Sequence, residues 1–268
     1  MAERQAAPNF DVIADSYDNV RFTKEPTERL PVHAKLASGQ RVLDVACGTG
    51  WASMAAARAV GDTGRVTGID IGDEMLDVAR GKAVSLGLSN VEYRPGSAEE
   101  LEFGDASFDR VICASSIFYF SDMTKALREW RRVLKTGGRV AFSTWGVTFR
   151  QPTGKLFSER LAQYGTQGPP TRNLIEQTDT PDKCRELLKS AGFEEIEVTT
   201  EQLGYYHPDT TAYWQEISST IVRPRLESLS PAELNRFKAE HLAEVESLRT
   251  DRGIWFDVPV HFSTAKKQ

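Results

Sequence analysis

Two carboxylates and two glycines in the first third of the chain have the types and spacing of a nucleoside-binding site. Asp44, Gly48 and Gly50 lie in the segment VLDVACGTG. Asp70 ends the segment RVTGID, twenty residues after Gly50. Glycines let a ligand approach the backbone closely, and a carboxylate at the end of a second strand can accept hydrogen bonds from both ribose hydroxyls. The spacing therefore predicts an adenosine ligand with a free 2′-hydroxyl.

The same segment argues against a dinucleotide. The dinucleotide fingerprint G-x-G-x-x-G needs a third glycine, and Ser53 stands at that position. The carboxylate of Asp44, four residues before the first glycine, would repel a pyrophosphate and attract an ammonium group. S-adenosylmethionine combines adenosine with a positively charged, unphosphorylated group. It is the ligand that these residues favour, with an NAD(P)-dependent oxidoreductase on a similar sheet as the alternative.

The elements that must position these residues alternate between strand and helix. Apolar strands are predicted at residues 41–47, 65–70, 91–95, 109–115 and 139–145, and helices at 51–60, 73–88 and 123–134. Such alternation predicts a parallel sheet with right-handed crossovers and helices on both faces. Ligands bind at the carboxyl ends of the strands in such sheets, where the first glycine turn opens a crevice.

The flanking segments carry weaker signals. Residues 9–37 predict two helices, interrupted near Pro26. Later elements are a helix beginning at Pro181, a strand at 194–200, two further helices, the second with a capping box at Ser230, and a last strand at 255–265. Pro259 in that last strand favours an edge or a bulge. We predict a single domain over residues 1–268, with a helical cap at 1–40, a cofactor half at 41–146, and a substrate half at 147–268 that holds a helical insertion at about 207–252.

The amino-acid composition limits the kinds of molecule and the cellular location that we expect for this chain. The chain has 33 Lys and Arg against 38 Asp and Glu, a net charge of −5, which disfavours nucleic acid as a partner. Its three cysteines are far apart, so neither a disulfide framework nor a zinc or other metal site is predicted. No apolar stretch suits a signal peptide or membrane insertion, which predicts a cytoplasmic protein. The sequence leaves the oligomeric state open.

Several segments together resemble the class I S-adenosylmethionine-dependent methyltransferases, and within them the small-molecule group that includes the ubiquinone/menaquinone-biosynthesis enzymes. They are VLDVACGTG, GID, GSAEELEF, FDRVICASSIFYF and the opening FDVIADSYD, within residues 10–146. The resemblance implies a doubly wound, mostly parallel, seven-stranded Rossmann-like sheet with an antiparallel last strand and a helical lid. It also implies methyl transfer by direct displacement to the oxygen, nitrogen or carbon of a small-molecule acceptor, which leaves S-adenosylhomocysteine.

The resemblance also implies roles for matched positions. The methionine part of the cofactor would be held by Asp44, Ala46, Gly48, Gly50 and Ala114. The ribose would bind Asp70, and the adenine would lie among Ile71, Met75, Ser97 and Ala98. Tyr17 would lie near the methionine carboxylate or the transferred methyl group.

Residues that serve the acceptor are harder to predict, because displacement at an activated sulfonium carbon needs alignment and exclusion of water rather than a fixed catalytic group. The catalytic candidates are His207, in a predicted loop before the lid, with Tyr17 and Tyr119. An aromatic or lipid-like acceptor would be enclosed by Trp145, Phe149, Tyr205, Tyr206, Tyr213 and Trp214. A non-catalytic protein that binds S-adenosylmethionine is the second alternative.

Overall fold

A seven-stranded sheet lies at the centre of the computed structural model, which describes residues 8–165 and 174–268. The strands are β1 (Arg41–Val45), β2 (Arg65–Asp70), β3 (Val91–Pro95), β4 (Phe108–Cys113), β5 (Leu134–Trp145), β6 (Glu194–Gln202), β7 (Tyr205–His207), β8 (Ile254–Phe256) and β9 (Pro259–Lys266). The main sheet has the order β3-β2-β1-β4-β5-β9-β6, and β7 pairs separately with β8. Residues 1–7 of the predicted cap and 166–173 of the substrate half lie outside the described residues.

The sheet confirms the predicted fold class. Strands β1 to β5 pair in parallel, and β9 runs antiparallel to both of its neighbours, β5 and β6. Val42, Leu43 and Val45 on β1 are fully buried, because helices cover both faces of a parallel sheet. The carboxyl ends of the parallel strands therefore meet at one edge.

The helices of the described residues begin either with or without a side-chain cap. They are α1 (Arg21–His33), α2 (Trp51–Val60), α3 (Asp73–Ser85), α4 (Met123–Val133), α5 (Thr153–Ala162), α6 (Pro181–Ser190), α7 (Thr210–Ser218), α8 (Arg223–Glu227) and α9 (Pro231–Glu246). Asp122 caps α4 and Thr180 caps α6, each by accepting a backbone N–H. The predicted capping box between Ser230 and Glu233 is present at α9.

The N-terminal segment differs from the prediction. Two short 3₁₀ turns, Asp11–Ile13 and Tyr17–Asn19, replace the first helix. The predicted break at Pro26 is wrong, since α1 runs through it to His33. Phe22, Pro26 and Leu30 recur at every fourth residue and are buried on one face of α1. Their packing outweighs the hydrogen bond that proline removes from a helix.

The C-terminal segment also differs. The predicted strand at 255–265 is divided into β8 and β9, and β9 lies between two strands rather than at an edge. Pro259 is the first residue of β9, where a missing N–H breaks no ladder bond. Its carbonyl accepts a 2.8 Å hydrogen bond from the Gly146 N–H.

The insertion between β7 and β8 contains three helices, α7 to α9, where two were predicted. We call these three helices the lid. The pairing of β7 with β8 closes the base of the lid and was not predicted. One hydrophobic cluster runs from α1 through the sheet into the lid. The division into cap, halves and insertion stays a prediction. Among the described residues, no helix has both the length and the apolar character needed to cross a bilayer.

Candidate active site

A pocket of about 370 Å³ opens at the carboxyl edge of the sheet. Ala46 and Gly48 line it after β1, Asp70 at the end of β2, Ala114 after β4 and Trp145 at the end of β5. The volume lies within the range of about 300–1,000 Å³ that is usual for ligand pockets. Its place is the crevice where doubly wound sheets bind ligands.

The two glycines of the first turn have different surroundings. Gly48 lines the pocket with φ +53°, and no atom lies within 4 Å of the position that a Cβ would take. Gly50, with φ +84°, does not line the pocket, and a Cβ there would lie 2.5 Å from the Tyr93 hydroxyl oxygen. Gly48 thus leaves room for a ligand, whereas Gly50 lets the turn pack against Tyr93 on β3.

Asp70 anchors two backbone turns beside the pocket. Its Oδ2 accepts a 2.8 Å hydrogen bond from the Gly48 N–H, and its Oδ1 accepts one of 2.9 Å from the Gly72 N–H. Burial raises the pKa of this carboxyl group, and the backbone N–H donors oppose that rise. The Ile71 N–H is a third backbone donor to this carboxylate. A carboxylate offers about four acceptor positions, so one remains for a ribose hydroxyl.

Asp44 lies beneath the glycine turn and does not line the pocket. Its side chain is fully buried, and Oδ2 accepts a 2.5 Å hydrogen bond from the Ser53 hydroxyl. Oδ1 has no hydrogen-bond partner. Burial raises the pKa of Asp44 to about 7. Ser53, which stands where a dinucleotide site has its third glycine, therefore holds the carboxylate that was expected to face the cofactor.

The residues that were expected to contact the adenine all belong to the pocket lining. Ile71, Met75, Ser97 and Ala98 all line the pocket. Met75 is 1% exposed, whereas Ile71 is 72% exposed and stands at the rim. An apolar slot of this kind suits a flat ring. Contact with adenine itself stays a prediction.

The N-terminal 3₁₀ turns cover the middle of the pocket. Phe10, Tyr17 and Tyr119 all line it. The Phe10 ring packs edge-on against Tyr17 and Tyr119, with centroid separations of 6.1 and 5.2 Å. Burial raises the pKa of Tyr17 to about 12 and also raises that of Tyr119. Both hydroxyls therefore stay protonated near neutral pH and can donate hydrogen bonds to a ligand.

Asp18 connects the N-terminal 3₁₀ turns to the glycine turn and to the start of α2. Its Oδ1 accepts hydrogen bonds from the Thr49 hydroxyl at 2.6 Å and the Trp51 indole N–H at 2.8 Å. Its Oδ2 pairs with the Lys82 Nζ at 2.7 Å. Sequence reasoning did not single out Asp18, although it belongs to the quoted opening segment FDVIADSYD.

An aromatic wall forms the end of the pocket beside the carboxyl end of β5. Trp145 and Phe149 stack with their ring centroids 4.4 Å apart. Phe22 from α1 packs edge-on against both, at 5.8 and 5.4 Å. We call these three residues the aromatic wall. Four other aromatic residues expected around the acceptor are not among the residues that line this pocket: Tyr205, Tyr206, Tyr213 and Trp214.

His207 is not brought to the pocket. It lies on β7 rather than in the predicted loop, is 4% exposed, and packs among the rings of Tyr205, Tyr213 and Phe256. Burial lowers its pKa to about 4, which leaves the ring neutral. We therefore do not retain His207 as a candidate base.

Comparison with known proteins shows the family of the chain. The model of the ubiE/COQ5 methyltransferase family matches residues 6–206. The chain belongs to this family. A ubiquinone/menaquinone biosynthesis C-methyltransferase from Enterobacter sp. is 34% identical over 171 residues, 59% of this chain and 68% of the relative. A demethylmenaquinone methyltransferase from Listeria welshimeri is 33% identical over 209 residues, 69% of this chain and 85% of the relative.

Solved structures agree with this assignment. A SAM-dependent methyltransferase from Aquifex aeolicus superimposes with a TM-score of 0.51 and 26% identity, covering 66% of this chain and 82% of its own. The YcgJ protein from Bacillus subtilis has a TM-score of 0.61 and 21% identity, covering 91% and 98%. The latter likeness shows the fold alone.

This ubiE/COQ5-family protein is thus a methyltransferase that uses S-adenosylmethionine, and the oxidoreductase alternative is set aside. The pocket fits that cofactor, because Gly48 leaves open space where a side chain would stand and Asp70 has a free acceptor position. Within the described residues, no group of three or more His, Cys, Asp or Glu side chains is arranged to hold a metal ion. Residues 207–268, which include the lid, lie beyond the family match.

Proposed function

We propose that the enzyme methylates a carbon atom of a small aromatic, quinone-type molecule in a biosynthetic reaction. The observation that carries this proposal is the aromatic wall, which shares one pocket with Asp70. Flat apolar molecules gain from burial against such rings. The names of the Enterobacter and Listeria relatives, which refer to quinone biosynthesis, support the same class of acceptor. A cytoplasmic location and the absence of a nucleic-acid partner remain predictions.

The order of the strands supports a separation of the two ligands. Asp70 ends β2 and Trp145 ends β5, three strand spacings apart in the order β2-β1-β4-β5. At about 4.8 Å per spacing, these ends lie roughly 14 Å apart. The cofactor would lie above β1 and β2, held by Gly48 and Asp70, and the acceptor would lie above β4 and β5.

The residues of the chain would act by alignment and exclusion of water. Phe10 and Tyr17 line the pocket from the N-terminal segment, and Thr220 and Ile221 line it from the turn that joins α7 and α8 of the lid. The bound cofactor supplies a methyl group on a positively charged sulfur. The acceptor carbon would gain this methyl group as the carbon–sulfur bond breaks and leaves its electron pair on sulfur, and the ring would then lose a proton to solvent water. Tyr17 and Tyr119 would steady ring oxygens as hydrogen-bond donors.

Two measurements test this proposal. Calorimetry should show micromolar binding of S-adenosylhomocysteine and no binding of NADH. The enzyme incubated with methyl-labelled S-adenosylmethionine and 1,4-naphthalenediol should then yield a product with the label on a ring carbon, identified by mass spectrometry. Label on oxygen would redirect the proposal to O-methylation. Cofactor binding without transfer to this acceptor, to phenols or to amines would favour the non-catalytic alternative.

A further inference from the structure

Arg150 is a buried cation at the pocket without a matching anion. It lines the pocket, follows Phe149 of the aromatic wall in the chain, and is 9% exposed. Among the ion pairs of residues 8–165 and 174–268, none involves Arg150, and its Nε has no hydrogen-bond partner. Arginine keeps its proton under all ordinary conditions. A positive charge is therefore held in the pocket wall.

The backbone holds this residue in a costly conformation. Arg150 has φ +59°, in the left-handed region that residues other than glycine seldom adopt. Its N–H donates to the Asp257 carbonyl at 2.8 Å, and its carbonyl accepts from the Thr153 hydroxyl at 3.2 Å. These hydrogen bonds fix the position of the Arg150 backbone. Both its backbone conformation and its unpaired charge lower the stability of the fold.

The groups around Arg150 do not neutralise it by contact. Its electrostatic neighbours are Tyr119, Tyr205, Tyr213 and Glu216. The phenols are protonated, since burial raises the pKa of each. The Glu216 carboxylate accepts hydrogen bonds from the Phe22 N–H at 3.1 Å and the Tyr205 hydroxyl at 2.6 Å, and no ion pair joins it to Arg150.

Arg150 belongs to the acceptor end of the pocket. It follows β5 by five residues, whereas Asp70 ends β2, three strand spacings away. The aromatic wall precedes it in the chain. Arg150 therefore belongs to the part of the pocket wall that adjoins the proposed acceptor position, away from the ribose site.

We propose that Arg150 binds an anionic oxygen of the acceptor, a carboxylate or a phenolate on a flat apolar body. The planar guanidinium donates parallel N–H bonds to such oxygens. A neutral molecule of the same shape would leave the charge buried and unpaired, so Arg150 would also set specificity. This inference rests on the proposed function, because it concerns the acceptor of the same methyl transfer.

Binding measurements with matched probes test it. With S-adenosylhomocysteine present in excess, calorimetry would compare 2-naphthoate with 2-naphthamide, and pentafluorophenolate with pentafluorobenzene. The wild type should bind at least one anion about tenfold or more tightly than its neutral match, and the pair that shows this preference identifies the oxygen as carboxylate or phenolate. Arg150→Met should abolish the preference and leave the affinity for S-adenosylhomocysteine unchanged. Arg150→Lys should keep only part of it.

Thermal unfolding supplies a second readout that needs no acceptor. Removing an unpaired buried charge while keeping the alkyl stem should raise the melting temperature of Arg150→Met by about 2 °C or more. The control, Arg58→Met, removes an exposed arginine on α2 and should change neither melting temperature nor probe binding. A fall in the melting temperature of Arg150→Met would mean that the charge serves the fold, and would overturn the proposal.

The remaining outcomes are also decisive. Equal or undetectable binding of anionic and neutral probes by the wild type, with S-adenosylhomocysteine bound normally, would overturn the role of Arg150 and leave the proposed methyl transfer standing. If Arg150→Met still bound the anionic probes more tightly than the neutral ones, the role of Arg150 would also be overturned and the proposed methyl transfer would stand. Failure of the wild type to bind S-adenosylhomocysteine would overturn the proposed function, and this inference with it.

Discussion

The two ends of the pocket are built differently. The β1–β2 end takes Gly48, Asp70 and Met75 from one short stretch of chain, and the Asp70 carboxylate accepts bonds from backbone N–H groups. The β5 end gathers side chains from distant segments, including Phe22 and Arg150, and leaves a charge unpaired. A site built from one short segment suits one invariant ligand, whereas a site gathered from distant segments can be adapted to a particular acceptor.

The largest expected effect concerns the glycine turn at the β1–β2 end, tested by Gly50→Ala. The new Cβ would lie 2.5 Å from the Tyr93 hydroxyl oxygen and 3.0 Å from the Ala79 Cβ, at a φ of +84°. Strain and overlap together should lower the free energy of unfolding by about 2–4 kcal/mol, as measured by urea denaturation. Gly48→Ala, which meets no atom within 4 Å, should cost only about 1–2 kcal/mol. Equal losses in the two variants would contradict the different roles assigned to these glycines.

The buried Asp44 predicts an unusual dependence of stability on pH. Its pKa rises from an ordinary 3.8 to about 7 in the folded protein. The folded state therefore binds more protons between these values, and the free energy of unfolding falls as pH rises through that window. The fall due to Asp44 should reach up to about 3 kcal/mol between about pH 5 and 7. Denaturation of wild type and Asp44→Asn across this range measures it, and parallel curves would exclude Asp44 as its source.

Asp70→Ala should weaken the binding of S-adenosylhomocysteine by about 1.5–3 kcal/mol, because a charge-assisted hydrogen bond to ribose is lost. The glycine turn also loses its anchor at the Gly48 N–H. Calorimetry measures the change. Asp77→Ala, which removes an exposed carboxylate paired with Arg80, should leave binding as it is. A folded Asp70→Ala protein with unchanged affinity would refute the ribose assignment.

Of these variants, Tyr119→Phe should change the measured quantities least. It should affect the acceptor without affecting the cofactor. Loss of one donated hydrogen bond should lower kcat/KM for the acceptor by about 0.5–1.5 kcal/mol, up to roughly tenfold. Binding of S-adenosylhomocysteine should not change. Tyr206→Phe, outside the pocket lining, should alter neither quantity. A matching loss of cofactor affinity in Tyr119→Phe would place Tyr119 at the cofactor end and weaken the comparison.

Prediction from sequence succeeded where neighbours in the chain are neighbours in space. The strand, glycine turn and helix around Gly48 form one continuous segment, so spacing alone places Asp70 beside the turn. The surroundings of His207, the predicted base, depend instead on residues that are distant in the chain. His207 lies next to β8 through a pairing that spans about fifty residues, and that pairing buries it among aromatic rings.

The sequence by itself determined the doubly wound sheet and favoured the cofactor, because periodic apolar strands and a local glycine turn specify them through short-range geometry. The family followed from the resemblance of several segments to known methyltransferases and from the family match over residues 6–206. The tertiary structure alone decided which side chains form the acceptor end. Tyr205 and Tyr213 pack away from the pocket, and Arg150, one of many arginines in the sequence, enters its wall. Those outcomes depend on how α1, β5 and the lid pack together, which no local pattern encodes.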